Sequence, residues 1–524
     1  MFINHHLKIS KESIKYVSLI LTLLIMLLSI SGALISCNAN NPKGTDNSGG
    51  DNNAATTQNP DENAGAQENT TQEKILPNLP EDVNYNGYVF TVLSHREESD
   101  DWLEPDPREI VSEEETGDPI NDAVYKRNSV LKDKYNIDFK LVTNTDEKSL
   151  LSKAVKAGDD IYDAVMMFNN NIPGIVPANL LTEISKLPYI DLSKPWWDPA
   201  VNSMSIAHKN YLLGGDILIL DNEATNALLF NKDLMASLGI ELPYKMVTDG
   251  KWTMDKLNEY VKGASSDLNG DGQMLPLDDR WGFVTFNDTL HALLVSGGGA
   301  FAVKDENDIP YMDLASQKNI AISEKAMDIM YNKTDVLNIQ SDISNAGTAN
   351  ANWFAAYHGA FEENRALFMW VRMRVVEKFR GMEANFGIIP LPKFEESQDK
   401  YYSVVNPYTG ILLGVPKSVQ DLDRASIILE AMAAEARYTI QPAYYDVVLQ
   451  RKFARDEESS EMLDIIFNSR VYDIGAVYSF GNVFMDYIAL CNKSNRDLVS
   501  YYEKKIGAMD KAITKLVDMI ETMD

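Results

Sequence analysis

Cysteine is nearly absent from this 524-residue chain, which contains only Cys37 and Cys491. If Cys37 is modified, no disulfide can form within the chain, so the fold must depend on the burial of apolar side chains. Cys491 lies in "YIALCNKS". We expect it to be a small apolar residue of a helix rather than a reactive thiol.

Histidine and catalytic motifs are also scarce. Two of the six histidines lie within the first ten residues, so a histidine-based metal site is not expected. G-x-S-x-G, H-E-x-x-H, C-x-x-C and P-loop patterns are all missing. Carboxylates are so numerous that their number alone does not exclude the pair of catalytic carboxylates that a glycosidase needs. We predict that the protein is not an enzyme.

Positive charge is in short supply. There are 48 Lys and Arg residues against 77 Asp and Glu residues, which gives a net charge of −29. This charge argues against nucleic acids and anionic membrane surfaces as partners. After residue 36 the sequence also contains no apolar run long enough to cross a bilayer.

The N-terminus has the composition of a secretory signal. Lys8, Lys11 and Lys15 precede a mostly apolar run over 16–35. An uncleaved anchor helix is the alternative, because the run is long enough to span a membrane. The run ends in "LISC", which resembles the lipobox of bacterial lipoproteins. The resemblance implies that the signal peptide 1–36 is removed and that Cys37 is lipidated.

A lipid anchor and a polar tether follow from this interpretation. Two acyl chains, such as palmitate, hold a protein on a membrane where one chain gives only marginal binding. The stretch 37–78 contains few large apolar residues, so we predict a disordered tether. The expected location is the extracytoplasmic face of the cell membrane.

The remainder of the chain has about 450 residues, more than one hydrophobic core usually holds. This length predicts two lobes. The first part alternates strands and helices as βαβαβ, which is typical of a parallel sheet covered by helices. Ligands bind beyond the carboxyl ends of such strands. Asn169 and Asn170 directly follow the third strand, "YDAVMMF", and are therefore candidate ligand residues.

Later segments are less regular. Two apolar strands around a polar turn are predicted within 211–230, and "RALFMWVR" and "FGIIPLPK" each predict a strand. The last third is predicted to be mostly helical.

Taken in order, "YDAVMMF", "GGDILILDNEATNALLFNKDLMASLGI", "WGFVTFNDTLHALLVSGGGAF", "NRALFMWVRM", "FGIIPLPK" and "TGILLGVPKSVQDLDRASIILEAM" resemble extracellular solute-binding proteins of carbohydrate ABC transporters, the maltose-binding-protein-like family. The resemblance covers about 85–510. It implies an α/β fold of the two-lobe, type 2 periplasmic-binding-protein kind, with a ligand cleft at the hinge. The implied first lobe is 79–222 plus about 345–405, and the second, helix-rich lobe is 223–344 plus about 406–524.

The same resemblance implies ligand-binding positions in five segments: the first crossing between lobes, the "FNDT" loop, the end of "FMWVR", the return crossing "NPYTG" and a late loop. In this chain they are Asn222, Glu223, Asn287, Asp288, Trp370, Arg372, Asn406, Tyr408 and Phe480.

Such residues suit a sugar, because aromatic rings match its C–H faces and amides or carboxylates bond its hydroxyls. A single aromatic residue is nevertheless more often part of a core. Trp196 and Trp197 in "PWWDP" could therefore simply fill a lobe.

The stretch "DLNGDGQMLPLD" has the spacing of an EF-hand loop. Its candidate calcium ligands, at positions 1, 3, 5, 7 and 12, are Asp267, Asn269, Asp271, the carbonyl of Gln273, and Asp278. The alternative is a solvated turn rich in Asp and Asn. No cofactor other than this structural calcium is expected.

The sequence therefore predicts a monomeric, lipid-anchored binding protein that captures a sugar or oligosaccharide and delivers it to an ABC permease. A peptide or another solute is an alternative ligand, since the fold does not fix it. A surface carbohydrate-active enzyme would need two carboxylates about 5–9 Å apart. A sensor subunit that feeds a membrane kinase is a further alternative.

Overall fold

The computed structural model describes residues 74–95, 107–345, 353–449, 457–492 and 496–523. These belong to one compact unit, Glu73–Asp524. The signal peptide, Cys37 and most of the predicted tether lie outside the described residues. The last tether residues contact the folded body, because the ammonium of Lys74 lies 2.7 Å from the carboxylate of Glu435, and the Ile75 amide donates to Tyr438 Oη at 2.8 Å.

The described residues form a four-stranded sheet, a five-stranded sheet and two sheets of two strands each, and the strands are numbered along the chain. The strands are β1 Tyr88–His95, β2 Ile137–Asn144, β3 Ala164–Phe168, β4 Asn226–Asn231, β5 Trp281–Thr285, β6 Ala302–Lys304, β7 Pro310–Met312, β8 Val336–Asn338, β9 Ala366–Arg372, β10 Phe386–Ile389, β11 Ser403–Val404, β12 Ile411–Gly414 and β13 Arg470–Val471.

Helices flank these strands. The α-helices are Pro119–Tyr135, Glu147–Ala157, Ile172–Ile175, Leu220–Glu223, Lys232–Leu238, Tyr244–Thr248, Met254–Val261, Thr289–Ser296, Gln317–Met330, Ile339–Asn345, Trp353–Glu362, Leu422–Ala436, Ile440–Leu449, Glu457–Asn468, Ile474–Val477, Val483–Ile488 and Leu498–Glu521. Short 3₁₀ turns occur at Asn169–Asn171, Ile184–Lys186, Pro199–Met204, Met373–Gly381, Phe480–Asn482 and Ala489–Asn492.

The first sheet has the order β12-β3-β1-β2, and β1 is parallel to both β2 and β3. This confirms the predicted βαβαβ start. The connecting helix begins where the sequence indicates, since the Asp118 carboxylate accepts from the amides of Ile120 and Asn121, and Pro119 occupies the first turn. Asn136, in the left-handed conformation, ends it.

The second sheet has the order β10-β4-β9-β5-β8 and mixes parallel with antiparallel pairs. Strand membership here differs from the expected lobe assignment. β9 and β10, within 345–405, join this second sheet, whereas β12 joins the first sheet antiparallel to β3. The sequence could not decide this, because wholly buried apolar strands fit either sheet equally well.

The strand predicted just before β4 does not form. Leu213 makes only an isolated bridge with Leu413, and the chain turns into the helix Leu220–Glu223. Gly215 explains the turn: its φ is +140°, and an added Cβ would collide with the Trp196 carbonyl. The remaining lobe boundaries stay predictions.

The paired tryptophans belong to the core. Trp196 Nε1 and Trp197 Nε1 donate to the Glu430 carboxylate at 3.1 and 2.7 Å. All three residues are buried, and burial raises the pKa of Glu430 to about 7. The core alternative for "PWWDP" is therefore the observed one.

Cys491 is a buried free thiol, as expected, although it lies in the 3₁₀ turn Ala489–Asn492 rather than in an α-helix. Burial raises its pKa to about 12. Among the described residues, no helix combines the length and the apolar character that a bilayer crossing requires.

Candidate ligand-binding site

The carboxyl end of the first sheet places Asn169 directly after β3. Asn169 is buried, and its backbone amide donates to the Gly410 carbonyl at 2.8 Å. Neither polar atom of its side-chain amide has a hydrogen-bond partner among the described residues. The neighbouring Asn170 is exposed. Of the two predicted residues, Asn169 is therefore the one with unused hydrogen-bonding capacity inside the protein.

A second polar cluster at this edge escaped the sequence analysis. His95 ends β1, and its Nδ1 lies 2.6 Å from Glu147 Oε2. Asn171 donates to the other oxygen of Glu147 at 2.5 Å. The rule that ligands bind beyond parallel strands also applies to β1, so His95 could have been found by the argument that found Asn169.

The carboxyl end of the second sheet brings together two of the predicted segments. β5 and β9 are parallel neighbours, so the "FNDT" loop after β5 and the end of β9 lie at the same edge. Asn287 is buried and accepts a hydrogen bond from Asn338 Nδ2 at 2.8 Å. Asn338 ends β8, the third of the parallel strands.

Aromatic rings surround this second edge. The Phe286 ring lies 4.6 Å from that of Tyr357, 5.5 Å from that of Phe354 and 6.5 Å from that of Trp370. Trp370 and Tyr357 are buried, yet Trp370 Nε1 and Tyr357 Oη have no hydrogen-bond partner among the described residues. The sequence analysis missed Tyr357 and Phe354, although both lie in the aromatic-rich "NWFAAYHG".

The segment Asn406 to Gly410 connects the two edges. The Asn406 backbone amide donates to the Ala224 carbonyl at 2.9 Å, and its Nδ2 donates to Asp288 at 3.2 Å. The Asn406 side-chain oxygen accepts from the amides of Tyr408 and Thr409, which fixes the turn. A Cβ on Gly410 would collide with the Asn169 amide group. Asn169, Asn406 and Asp288 are therefore gathered around one turn.

Burial controls the electrostatics of the second edge. It raises the pKa of Asp288, while the hydrogen bond from Asn406 and the charge of Arg372 oppose that rise. Burial and, to a smaller extent, the nearby charge of Arg374 lower the pKa of Arg372 to about 10. Burial thus moves the pKa of both groups toward neutral, because the charged forms lose hydration.

Asn222 and Glu223, which the resemblance assigns to the first crossing, are buried in the helix Leu220–Glu223, and their side chains bond other protein groups. Asn222 accepts from Arg470 and donates to Gln441. Glu223 accepts from Arg108 at 2.6 Å. These contacts hold the crossing in place, and a ligand contact for either residue stays a prediction.

The last two aromatic candidates differ in position. The Tyr408 ring is half-buried and lies 5.1 Å from the ring of Phe484. Phe480 is buried and stacks on Tyr478, with ring centres 5.8 Å apart. Phe480 thus packs as a core residue, and a ligand contact for it stays a prediction.

The EF-hand-like loop forms a compact turn. Asp267 accepts from the amides of Gly270 and Gly272, and Asp271 accepts from that of Gln273. The buried Asp279, rather than Asp278, accepts from the amides of Leu268 and Leu275. Across the described ranges, no group of three or more His, Cys, Asp or Glu side chains is placed to hold a metal ion. Calcium binding stays a prediction.

No protein-family model matches the sequence, and no curated protein matches it either. Solved structures do match. UspC of M. tuberculosis has a TM-score of 0.52 and 13% identity, covering 80% of this chain and 99% of its own. A sugar transporter of Rhizobium etli, in an open conformation, has a TM-score of 0.52 and 13% identity, covering 84% and 100%. An ABC substrate-binding protein of Listeria monocytogenes, in complex with cycloalternan, has a TM-score of 0.50 and 11% identity, covering 83% and 99%.

The TM-scores indicate a shared fold, and at identities this low the similarity is one of fold alone. The described residues form two main sheets flanked by helices, and Asn169, Asn406 and Asp288 lie around one turn. The chain has the α/β fold of the two-lobe periplasmic solute-binding proteins.

Proposed function

We propose that this chain is an extracytoplasmic solute-binding protein that captures a sugar or oligosaccharide between its two sheets. One observation carries the proposal. Buried polar groups at the two sheet edges and the turn between them have no hydrogen-bond partner among the described residues: the side-chain amide of Asn169, Thr409 Oγ1, Trp370 Nε1 and Tyr357 Oη. Such groups are costly unless something bonds them, and a hydroxyl-bearing ligand supplies both donors and acceptors.

The surroundings of these atoms suit a saccharide. Phe286, Tyr357 and Trp370 offer ring faces and edges, while Asn169 and Asp288 offer amide and carboxylate groups. Ring faces and paired polar groups are the two features that a pyranose matches. The Listeria structure in complex with cycloalternan and the R. etli sugar transporter lend support, because both share the fold.

The hydrogen bonds that the carboxylates of the site already make favour binding over hydrolysis. Glu147 is engaged by His95 and Asn171, and Asp288 accepts from Asn406. A glycosidase acid must instead present its proton to the leaving oxygen, and the second carboxylate must face the anomeric carbon or its water. Two carboxylates that are already hydrogen-bonded to protein groups are better suited to positioning a ligand than to transferring a proton to it.

Hinged capture follows from the burial of the site. The unpartnered atoms are closed off from solvent, so a ligand must enter when the segments around residues 224, 373 and 406 rearrange. Closure around the ligand would then shift an open–closed equilibrium.

Attachment and delivery belong to the same proposal. The lipobox-like "LISC" supports a lipid anchor at Cys37, followed by the polar tether. A binding protein held in this way would deliver its ligand to an ABC permease in the same membrane. Mass spectrometry of the protein from its native membrane should find acyl chains on Cys37. An unmodified Cys37 within an uncleaved N-terminus would contradict the anchor.

Saccharide binding can be tested by isothermal titration calorimetry and thermal shift with mono- and oligosaccharides. A ligand at a hundred times its dissociation constant adds about 2.7 kcal/mol to the free energy of unfolding. We expect at least one saccharide to bind, and peptides to have no effect. A peptide that binds while every saccharide fails would contradict the proposal.

Two tryptophans provide a matched pair of variants. Trp370 lies near the carboxyl end of β9, whereas Trp281 begins β5 at the opposite end of the same sheet. Both are buried, and neither Nε1 has a hydrogen-bond partner in the part of the chain that the structure describes. Trp370→Phe should weaken saccharide binding about tenfold, the size of one hydrogen bond. Trp281→Phe should leave affinity unchanged, and equal losses in both variants would remove Trp370 from the site.

A further inference from the structure

Asn226 begins β4, at the end of the second sheet where β9 finishes. It lies directly opposite Arg372 in the antiparallel pairing of β4 with β9, and Leu228 lies opposite Trp370. Side chains alternate between the two faces of a strand, so Asn226, Trp370 and Arg372 share one face of the sheet. The diagonal neighbours Asn226 and Trp370 are about 7 Å apart in such a pair.

The side-chain oxygen of Asn226 has unused hydrogen-bonding capacity. The residue is 2% exposed, and no described residue donates a hydrogen bond to its Oδ1. A buried amide oxygen without a donor is costly, because it has given up its water and gained no bond in exchange. A bound molecule that supplies a donor would remove this cost.

The same edge carries two groups that can donate. Trp370 Nε1 and Tyr357 Oη are buried and have no hydrogen-bond partner across the described ranges. The Phe286 ring contacts both rings, with ring centres 6.5 and 4.6 Å apart. Burial raises the pKa of Tyr357 well above its ordinary value, and the nearby charges of Arg372 and Asp288 act on it in opposite directions. Tyr357 therefore keeps its proton at neutral pH.

Backbone contacts connect Asn226 with the turn at Asn406. The Asn406 amide donates to the carbonyl of Ala224, two residues before Asn226, at 2.9 Å. The Asn406 side chain donates to Asp288, whose charge acts on Tyr357. The unpartnered oxygen of Asn226 thus belongs to the same group of residues as the proposed sugar site.

A hydroxyl group matches this set of atoms, because it donates one hydrogen bond and accepts others. An ether oxygen can accept from Trp370 or Tyr357, but it offers no donor to Asn226. An ammonium group can donate to Asn226, but it accepts nothing from Trp370. A sugar ring carries several hydroxyls around one edge, and its C–H face suits the aromatic rings.

Resting on the proposed function, we infer that Asn226 is a specificity-determining residue of the sugar site: its Oδ1 accepts a hydrogen bond from one unsubstituted hydroxyl of a ring whose oxygens accept from Trp370 and Tyr357. A ring that lacks this hydroxyl, or carries it as a methyl ether, would leave Oδ1 unpaired in the closed protein. Sites built to bond a hydroxyl reject such analogues strongly.

Calorimetry with the full chain tests this role. The probes are glucose, galactose, mannose, maltotriose and mannotriose, followed by the monodeoxy derivatives of the tightest binder. In the unaltered chain we expect one derivative to bind about 10- to 100-fold more weakly than its parent.

Asn226→Leu keeps a side chain of similar volume and removes the acceptor. The parent sugar should bind this variant about tenfold more weakly, and removal of the same hydroxyl should then have no further effect. A deoxy series that loses affinity by the same factors in both proteins would overturn the inference.

Asn231→Leu is the matched control, since Asn231 is a buried asparagine at the other end of β4. Its side chain accepts from the Leu234 amide at 2.9 Å and donates to Asn364 at 2.8 Å. Asn231→Leu should therefore lower the melting temperature of the ligand-free protein by about 1–3 °C and leave the ratio of parent to deoxy affinity unchanged.

Asn226→Leu should leave that melting temperature unchanged or raise it, because its Oδ1 has no bond to lose. If Asn226→Leu lowers the melting temperature as much as Asn231→Leu and leaves every affinity unchanged, the oxygen has a structural role and the inference is wrong. Asn226→Ala is a second variant, for which the same loss of coupling to the hydroxyl is expected should leucine not fit.

The remaining outcomes separate this inference from the function beneath it. If saccharides bind but no hydroxyl is coupled to Asn226, the assigned role is wrong and sugar binding stands. If no saccharide binds, the proposed function fails, and the role of Asn226 fails with it.

Discussion

The side-chain nitrogen of Asn406 lies 3.2 Å from a carboxylate oxygen of Asp288. This bond joins the segment that returns to the first sheet with the loop that follows β5 in the second sheet. The same asparagine also orders the turn that reaches Gly410, next to Asn169. The junction between the two sheets is therefore fixed by polar contacts as well as by apolar packing.

Asn406→Asp should destabilise the protein in a pH-dependent way. The substitution places two carboxylates at hydrogen-bond distance in a buried site, where both cannot ionise without a large cost. We expect a loss of at least about 2 kcal/mol at pH 8, with partial recovery in acid, where a shared proton restores a hydrogen bond. Urea unfolding at both pH values measures the effect.

Asn385→Asp is the control for that prediction. Asn385 also donates to an aspartate, Asp233, at 3.2 Å, but both residues are exposed. Water screens the new pair of charges, so the change should be less than about 1 kcal/mol. Equal effects at the two sites would show that burial of the Asn406–Asp288 contact does not matter.

Gly410→Ala tests the close packing of the turn at Asn406 against the end of β3. A Cβ at this position would lie 2.7 Å from Val405 Cγ1 and 3.0 Å from the Asn406 carbonyl oxygen. We expect a loss of about 1–3 kcal/mol in the free energy of unfolding, as for other overpacked sites. Gly507→Ala, in the helix Leu498–Glu521 with no atom within 4 Å of the new Cβ, should instead gain about 0.5–1 kcal/mol. A stable Gly410→Ala variant would mean that the turn can move.

Glu430 should make stability depend on pH. Its pKa is raised by burial from 4.5 to about 7, so the folded state holds a proton that the unfolded state has already released. This contribution is complete below the unfolded pKa and is lost as the pH rises through about 7. The shift corresponds to about 3 kcal/mol between pH 5 and pH 8.

Glu430→Gln should flatten that dependence, because glutamine does not titrate. The measurement is the difference in unfolding free energy between pH 5 and pH 8, for the variant and for the unaltered chain. Glu461→Gln, at an exposed position, should keep the original dependence. If the unfolding free energy of Glu430→Gln still changed with pH as in the unaltered chain, another group would be responsible for the pH dependence.

Calcium binding by the loop at 267–278 predicts a change in thermal stability. Millimolar calcium should raise the unfolding temperature, since extracellular sites of this type bind with dissociation constants of about 10⁻⁴–10⁻³ M. Asp271→Asn should abolish the rise, because it removes a charged ligand and keeps an oxygen that can accept from the Gln273 amide. A loop that only forms a solvated turn would show no response to calcium in either protein.

Several parts of the site followed from local sequence. The strand before Asn169 and the strand that contains Trp370 form where they are predicted, because apolar runs end there in polar residues. Ligand contacts of Asn169, Asn287, Asp288 and Trp370 stay predictions. His95 and Glu147 were missed, because each is an ordinary polar residue at the end of an element, and only the fold brings them within 2.6 Å of one another. Phe480, which the family resemblance suggested, packs on Tyr478, and its contact with a ligand stays a prediction.

The sequence by itself determined where strands and helices begin and end through much of the chain, since periodicity and capping residues such as Asp118 act over a few positions. Only the tertiary structure decided that β12 pairs with β3, that β9 pairs with β4 and β5, and that one turn at Asn406 reaches both sheets. The physical reason is that burial is encoded locally, whereas the choice of partner depends on contacts between residues far apart in the chain, which no short pattern specifies.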